Sequence, residues 1–187
     1  MSLRNTRRRQ FLRRTVLVAA SYAACAVLVG AGRDPEFMRY DAVARRVDLS
    51  ITAALDQSNS GYNFNGGFDG SHRITVPLGW QVRMAFSNHD LFPHSVVVVG
   101  ETKRLPLRVS RPAFVGAASS ALQQGLPPGG RDDDIVFVAN QAGVYLITCG
   151  VPAHTALGTY LRLVVSEDAA VPTYEIIRRT AAAALPD

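Results

Sequence analysis

Residues 143–165, "GVYLITCGVPAHTALGTYLRLVV", hold two strand-like runs and, between them, a loop carrying a cysteine and a histidine. "GVYLIT" and "TYLRLVV" are dense in β-branched and aromatic residues, which suit a pleated, half-buried surface. Cys149 ends the first run, Pro152 stiffens the turn, and Thr159 opens the second run. Cys149 and His154 therefore stand at the two ends of a tight loop between neighbouring strands. Both side chains can turn to one point.

The same strand signature recurs upstream. "VDLSITAAL" alternates Val47, Leu49, Ile51, Ala53 and Leu55 against mostly polar partners, the period of a half-buried strand. "HRITVPLGW" predicts a short strand over 73–76 closed by a Pro-Leu-Gly turn. "WQVRMAFSN" places Trp80, Val82, Met84 and Phe86 on one face, which makes Met84 a core residue. "SVVVVG" is a continuous β-branched run suited to a strand buried between two layers. "DIVFVA" adds another strand, and "SNSGYNFNGGFDG" must be loop and turn.

Elsewhere the pattern weakens. Residues 33–46 read as a mixed, helical or irregular linker. Periodicity fades over 101–131, which reads as a loop-rich surface excursion with a short helix around 115–124 and a long turn at "GLPPGGRDDD". Residues 167–187 read as a tail, either a short helix or a mobile end. Seven or so short strands with Gly/Pro turns predict an all-β Greek-key sandwich over 47–166.

Charge is concentrated at one end. Arg4, Arg7, Arg8, Arg9, Arg13 and Arg14 precede any acid, and without them the formal charge falls from +5 to 5 − 6 = −1. The basic character belongs to this leader, so the sequence offers no support for nucleic-acid binding by the domain. "RRQFLR" (8–13) resembles the twin-arginine export motif, and an uncharged apolar run over 15–32 follows it. Residues 1–32 thus read as an export signal or membrane-anchor helix. Cys25 lies within this run, which leaves Cys149 as the domain's sole thiol. In an oxidising compartment such a thiol is either buried or held by metal.

A second imidazole for the Cys149–His154 loop is His94, in "NHDLFPHSVVVV", just before the buried strand. One thiolate, two imidazoles and a weak or absent fourth ligand form the trigonal set that suits blue copper. "YNFNG", "ITVPLGW", "NHDLFPHSVVVV" and "GVYLITCGVPAHTALGTY" together resemble the cupredoxins, and within them the sulfocyanins, over about 47–165. The resemblance implies a β-barrel or sandwich of about eight strands holding one type 1 copper, with His94, Cys149 and His154 as equatorial ligands. His89 is the fallback ligand, and His72 reads as a surface residue.

Two departures stand out. Sulfocyanins usually carry an axial methionine five positions after the histidine, where this chain has Thr159; Ala153 replaces a customary glycine. The copper would be three-coordinate, shielded by Leu157 or the Thr159 methyl, or would take the Thr159 hydroxyl as a weak axial ligand. An apolar axial side raises the potential, and a hard oxygen lowers it. Asn88 and Ser95 occupy positions where cupredoxins tie the ligand loops together and hydrogen-bond toward the thiolate. Phe92, Pro93, Val151, Pro152 and Leu157 would form an apolar rim around His154 for a redox partner.

The implied protein is an exported, monomeric, mononuclear copper carrier that passes single electrons between redox partners such as respiratory-chain components or an oxidase. Its location would be periplasmic or extracytoplasmic, with residues 15–32 as a membrane tether if they are retained. The alternatives are a copper-binding or delivery protein and a small copper enzyme with an open axial position.

Overall fold

The computed structural model describes residues 35–177. The export segment, the 15–32 tether and the last ten residues of the tail lie outside the described residues.

Among the described residues, nine strands form two sheets. The first sheet has the order β1-β2-β4-β6, built from Met38–Asp41, Arg46–Ala53, Gln81–Asn88 and Arg131–Val138. The second has the order β5-β7-β8-β3-β9, from Val97–Gly100, Gly143–Thr148, Tyr160–Ser166, His72–Pro77 and Thr173–Ile176. The chain passes between the sheets at every connection from β2 to β7. This is the all-β sandwich that the alternating pattern predicts. β7 and β8 pair antiparallel, with Thr148 opposite Tyr160, so the Cys149–His154 loop does join neighbouring strands.

The core follows from strand alternation. Val47, Leu49, Ile51 and Ala53 of β2 and Val82, Met84 and Phe86 of β4 are all buried. Ile74, Val76, Ile147, Leu161 and Leu163 face them from the second sheet and belong to the same apolar cluster. Leu55 breaks the pattern, being 54% exposed, because the chain has already left β2 at Ala54, which has φ +52°.

Three expectations need correction. The 33–46 linker contributes β1, which pairs antiparallel with β2 and buries Met38. The tail beyond 167 contributes β9, which pairs with β3, so it is neither helix nor free end over those residues. The half-buried His72 reinforces this edge through its Nδ1 and the Tyr174 hydroxyl, 3.0 Å apart. Both short strands lacked a long enough run to signal themselves.

The 101–131 stretch is the third correction. It has no helix, only turns and isolated bridges, and much of it is not a surface excursion. Val109 with partly buried Leu105, Ala118 and Leu122 packs on Val97, Val99, Leu146 and Tyr160, which covers the outer face of the second sheet. Phe114 and Ala117 enter the main core, where Phe114 stacks on Phe137 with ring centroids 5.2 Å apart. The uniformly apolar "VVVV" run thus has a physical cause: the strand is covered on both faces. Truncating an anchor of this layer tests it. Phe114→Ala should cost about 3–5 kcal/mol of unfolding free energy in a denaturant titration, the range for a buried aromatic. A cost below about 0.5 kcal/mol, typical of a surface site, would contradict the layer.

Candidate metal centre

His94, Cys149 and His154 come together at one end of the sandwich, each offering a ligand atom within 4.8 Å of the others. Cys149 Sγ lies 3.5 Å from His154 Nδ1, and the two imidazole centroids are 4.6 Å apart. Cys149 and His94 are fully buried, and His154 is partly exposed.

Each ligand is held by backbone. His94 forms a two-way bridge with Leu126, its amide donating at 3.2 Å and its carbonyl accepting at 2.6 Å. The Cys149 amide donates to the Thr159 carbonyl across the mouth of the loop at 3.2 Å. The Thr148 hydroxyl donates to that carbonyl at 2.9 Å, and Thr155 Oγ1 donates to the Cys149 carbonyl at 3.0 Å. The amide of Thr159 closes the turn onto the His154 carbonyl at 3.0 Å.

The side-chain bonds fix which atoms stay free. His94 Nε2 lies 2.8 Å from the Asp90 carboxylate, so Nε2 carries the proton and donates it. Among the described residues, Nδ1 of the same ring is buried without a hydrogen-bond partner. A buried, orphaned lone pair is costly unless something occupies it, and His94, whose other nitrogen is already engaged by Asp90, is a member of the metal-competent cluster. Burial lowers the His94 pKa despite Asp90, and burial with the nearby His94 lowers that of His154 to about 4. Both rings are neutral donors at neutral pH. Burial pushes the Cys149 thiol up, opposed by the Ser95 and Val151 amides and the Ser95 hydroxyl.

The Sulfocyanin (SoxE) domain model matches residues 35–177. The chain belongs to that family. Sulfocyanin from Sulfolobus acidocaldarius is 29% identical over 144 residues, covering 74% of this chain and 72% of that protein. Similar solved structures include auracyanin A, a "blue" copper protein from Chloroflexus aurantiacus, at 21% identity and TM-score 0.45, covering 65% of this chain and 99% of that one. Rusticyanin from Thiobacillus ferrooxidans is another, at 19% identity and TM-score 0.45, covering 70% and 86%.

In this sulfocyanin-family domain, two expected neighbours of the ligands behave differently. Ser95 does join the loops: its amide approaches Cys149 Sγ at 3.4 Å, and its hydroxyl accepts from the Gly150 amide at 2.9 Å. Asn88 does not reach the thiol loop. Its side chain donates to the carbonyls of Phe92 and Leu126 and accepts from the Asp90 amide, so it shapes the 88–94 turn that presents Asp90. His89 is exposed and outside the cluster. Thr159 is fully buried, and among the described residues its hydroxyl has no hydrogen-bond partner. Ala153, the glycine replacement, has φ +71°, a left-handed conformation that costs an alanine about 1–2 kcal/mol.

Sequence reasoning missed Asp90 and Tyr62. Asp90 stands four residues before His94, a spacing with no meaning until the turn folds. Tyr62, in "YNFNG", meets His154 edge to face with centroids 5.2 Å apart. The 58–62 turn is anchored there by Asn59, whose amide donates to the Leu157 carbonyl at 2.7 Å. Its prior signals were that "YNFNG" is among the stretches that carry the family resemblance and that the Asn- and Gly-rich run reads as loop and turn.

Two tests follow from this geometry. Asp90→Asn should weaken metal affinity about 10–100-fold in a chelator competition, the usual cost of losing a carboxylate that orients a ligand histidine. Unchanged affinity would mean that the ring is held by packing alone. Acid should also destabilise the metal-free fold. His154 titrates near 4 when folded and near 6.5 when unfolded, so the unfolded chain takes up the proton first. Its contribution is complete above pH 6.5 and is lost as pH falls toward 4. Denaturant midpoints of metal-free protein should decline through that window, and His154→Gln should flatten the decline; an equally steep mutant curve would rule this histidine out.

Proposed function

We propose that this protein carries single electrons between redox partners through one type 1 copper held by His94, Cys149 and His154. The observation that carries the reading is the buried cluster of one thiol and two neutral imidazoles, with His94 Nδ1 otherwise unpartnered. Membership of the sulfocyanin family agrees with it. Copper there would supply one-electron chemistry between Cu(I) and Cu(II). Asp90 orients one imidazole, Ser95 aims an amide at the sulfur, and burial of Cys149 and His94 keeps water from the thiolate side. Ligands pinned through backbone on several elements change little with charge, which keeps the reorganisation cost of electron transfer small.

Thr159 takes the axial role as a weak oxygen ligand in this reading. A buried hydroxyl without a partner costs about 1–3 kcal/mol, which favours an oxygen directed to a metal. Leu157 is 48% exposed, a poor shield for an apolar axial side. Full burial of Thr159 also argues against an open substrate position, so the carrier reading is preferred to a copper enzyme. Partly exposed His154, whose carbonyl accepts from the amide of exposed Leu157 at 3.2 Å, is the exit for the electron. Export and a membrane tether rest on the twin-arginine-like motif and the apolar run over 15–32. Among the described residues no helix is long and apolar enough to cross a membrane.

Optical and EPR spectra of the Cu(II)-loaded chain test the centre. An intense visible thiolate-to-copper band should appear and vanish in Cys149→Ser; its absence from the wild type would sink electron transfer. With the band in hand, Thr159→Val and Thr159→Met should both raise the potential, because each removes a hard oxygen. A potential unmoved by Thr159→Val would leave the oxygen without an axial role.

A further inference from the structure

The 101–111 stretch, "ETKRLPLRVSR", carries four cations and one acid, a net of 4 − 1 = +3 in a body whose formal charge without its leader is 5 − 6 = −1. Its acid, Glu101, is already engaged with Arg162 at 3.3 Å. Among the described residues, Lys103, Arg104, Arg108 and Arg111 are exposed and in no ion pair. The positive charge is local and uncompensated.

Its position matters more than its size. The Leu107 carbonyl accepts from the Ala153 amide at 2.8 Å, which fixes this stretch against the residue before His154. Arg108 follows directly and is braced by Gln123 Oε1 at 3.2 Å. Arg108 and Arg111 line one shallow depression of about 190 Å³ with Thr102 and Ser110. Leu107, 69% exposed, directly precedes Arg108 and is bonded through its carbonyl to the ligand loop, where Leu157 is 48% exposed. Buried Val109 on the sheet behind holds the whole segment in place.

We propose that this basic stretch is the docking element for an acidic redox protein, steering its negative face onto Arg108 and Arg111 so that its cofactor edge meets Leu107, Leu157 and His154. The proposal rests on the electron-carrier reading and adds the partner's chemistry to it. Opposite charges raise the encounter rate and orient the complex, and an apolar contact at the electron's exit then needs little area. One electron crosses in each encounter, the copper and the partner's cofactor exchanging oxidation states with no bond made or broken.

The test uses the full copper-loaded chain in stopped flow with two probes, native cytochrome c, which is cationic, and succinylated cytochrome c, which is anionic. The second-order rate should be greater with the succinylated form and should fall as salt is added. Arg108→Glu/Arg111→Glu should slow the anionic probe about tenfold or more and speed the cationic one, with the visible band and potential unchanged. Arg108→Gln/Arg111→Gln should fall between. The leader's arginines are common to all variants, so they cancel in the comparison. Rates that ignore both substitutions would overturn the proposal. So would variants that alter only adsorption to phosphatidylglycerol vesicles, which would make the stretch a membrane contact. A wild type without the thiolate-to-copper band would fail the electron-carrier reading itself, and the docking proposal with it; an intact band with charge-blind rates would sink docking alone.

Discussion

Ser95 is where the loops of the metal end are joined. Its amide approaches Cys149 Sγ, its hydroxyl accepts from the Gly150 amide, and the same hydroxyl donates to the Leu122 carbonyl at 2.6 Å. One small residue therefore links the His94 segment, the cysteine loop and the 101–131 layer. The link requires close approach: a side chain at Gly150 would drive its Cβ to 2.6 Å from the Leu122 carbonyl oxygen, inside any normal contact. Other bonds hold each ligand loop separately, His94 on Leu126 and Ala153 on Leu107, and Ser95 adds the direct tie between the two.

The same economy governs the electrostatics. A buried thiol, a buried imidazole and a partly buried one would be a liability in an ordinary core, where unsatisfied polar atoms cost stability. Here Asp90 satisfies one nitrogen of His94 and leaves the other bare, and burial keeps both imidazoles neutral. Ala153 adds backbone strain beside His154, held by its amide on Leu107 and its carbonyl on Leu157. The unpartnered Nδ1 of His94, the unpartnered Thr159 hydroxyl and the strain at Ala153 thus lie among the ligand loops, above strands that carry apolar packing.

The 101–131 stretch belongs to both functions of the fold. It caps the outer face of the second sheet, bridges to His94 through Leu126, and presents uncompensated arginines next to the ligand loop. Its role was illegible because it contacts the sheet through scattered single residues, Val109, Phe114, Ala117 and Leu122, with no period that a strand or helix would impose. The apolar run it covers was legible, since a strand buried on both faces has no polar side to show.

Alternation and β-branched runs are local properties, so the sequence alone determined β2 to β8 in outline, the inward faces of β2 and β4, and the pairing of β7 with β8 around Cys149 and His154. The chemistry of thiol and imidazole, together with family resemblance, singled out His94 as well. Only the tertiary structure decided what lies across space. That includes β1 and β9, too short to signal without their partners, the insertion as a third layer, and Asn88 as a scaffold for the His94 turn. It also decided that Asp90 and Tyr62 touch the ligand imidazoles. Those contacts form when loops distant in sequence are brought to one end of two sheets, and no local pattern records a meeting that the whole chain must fold to produce.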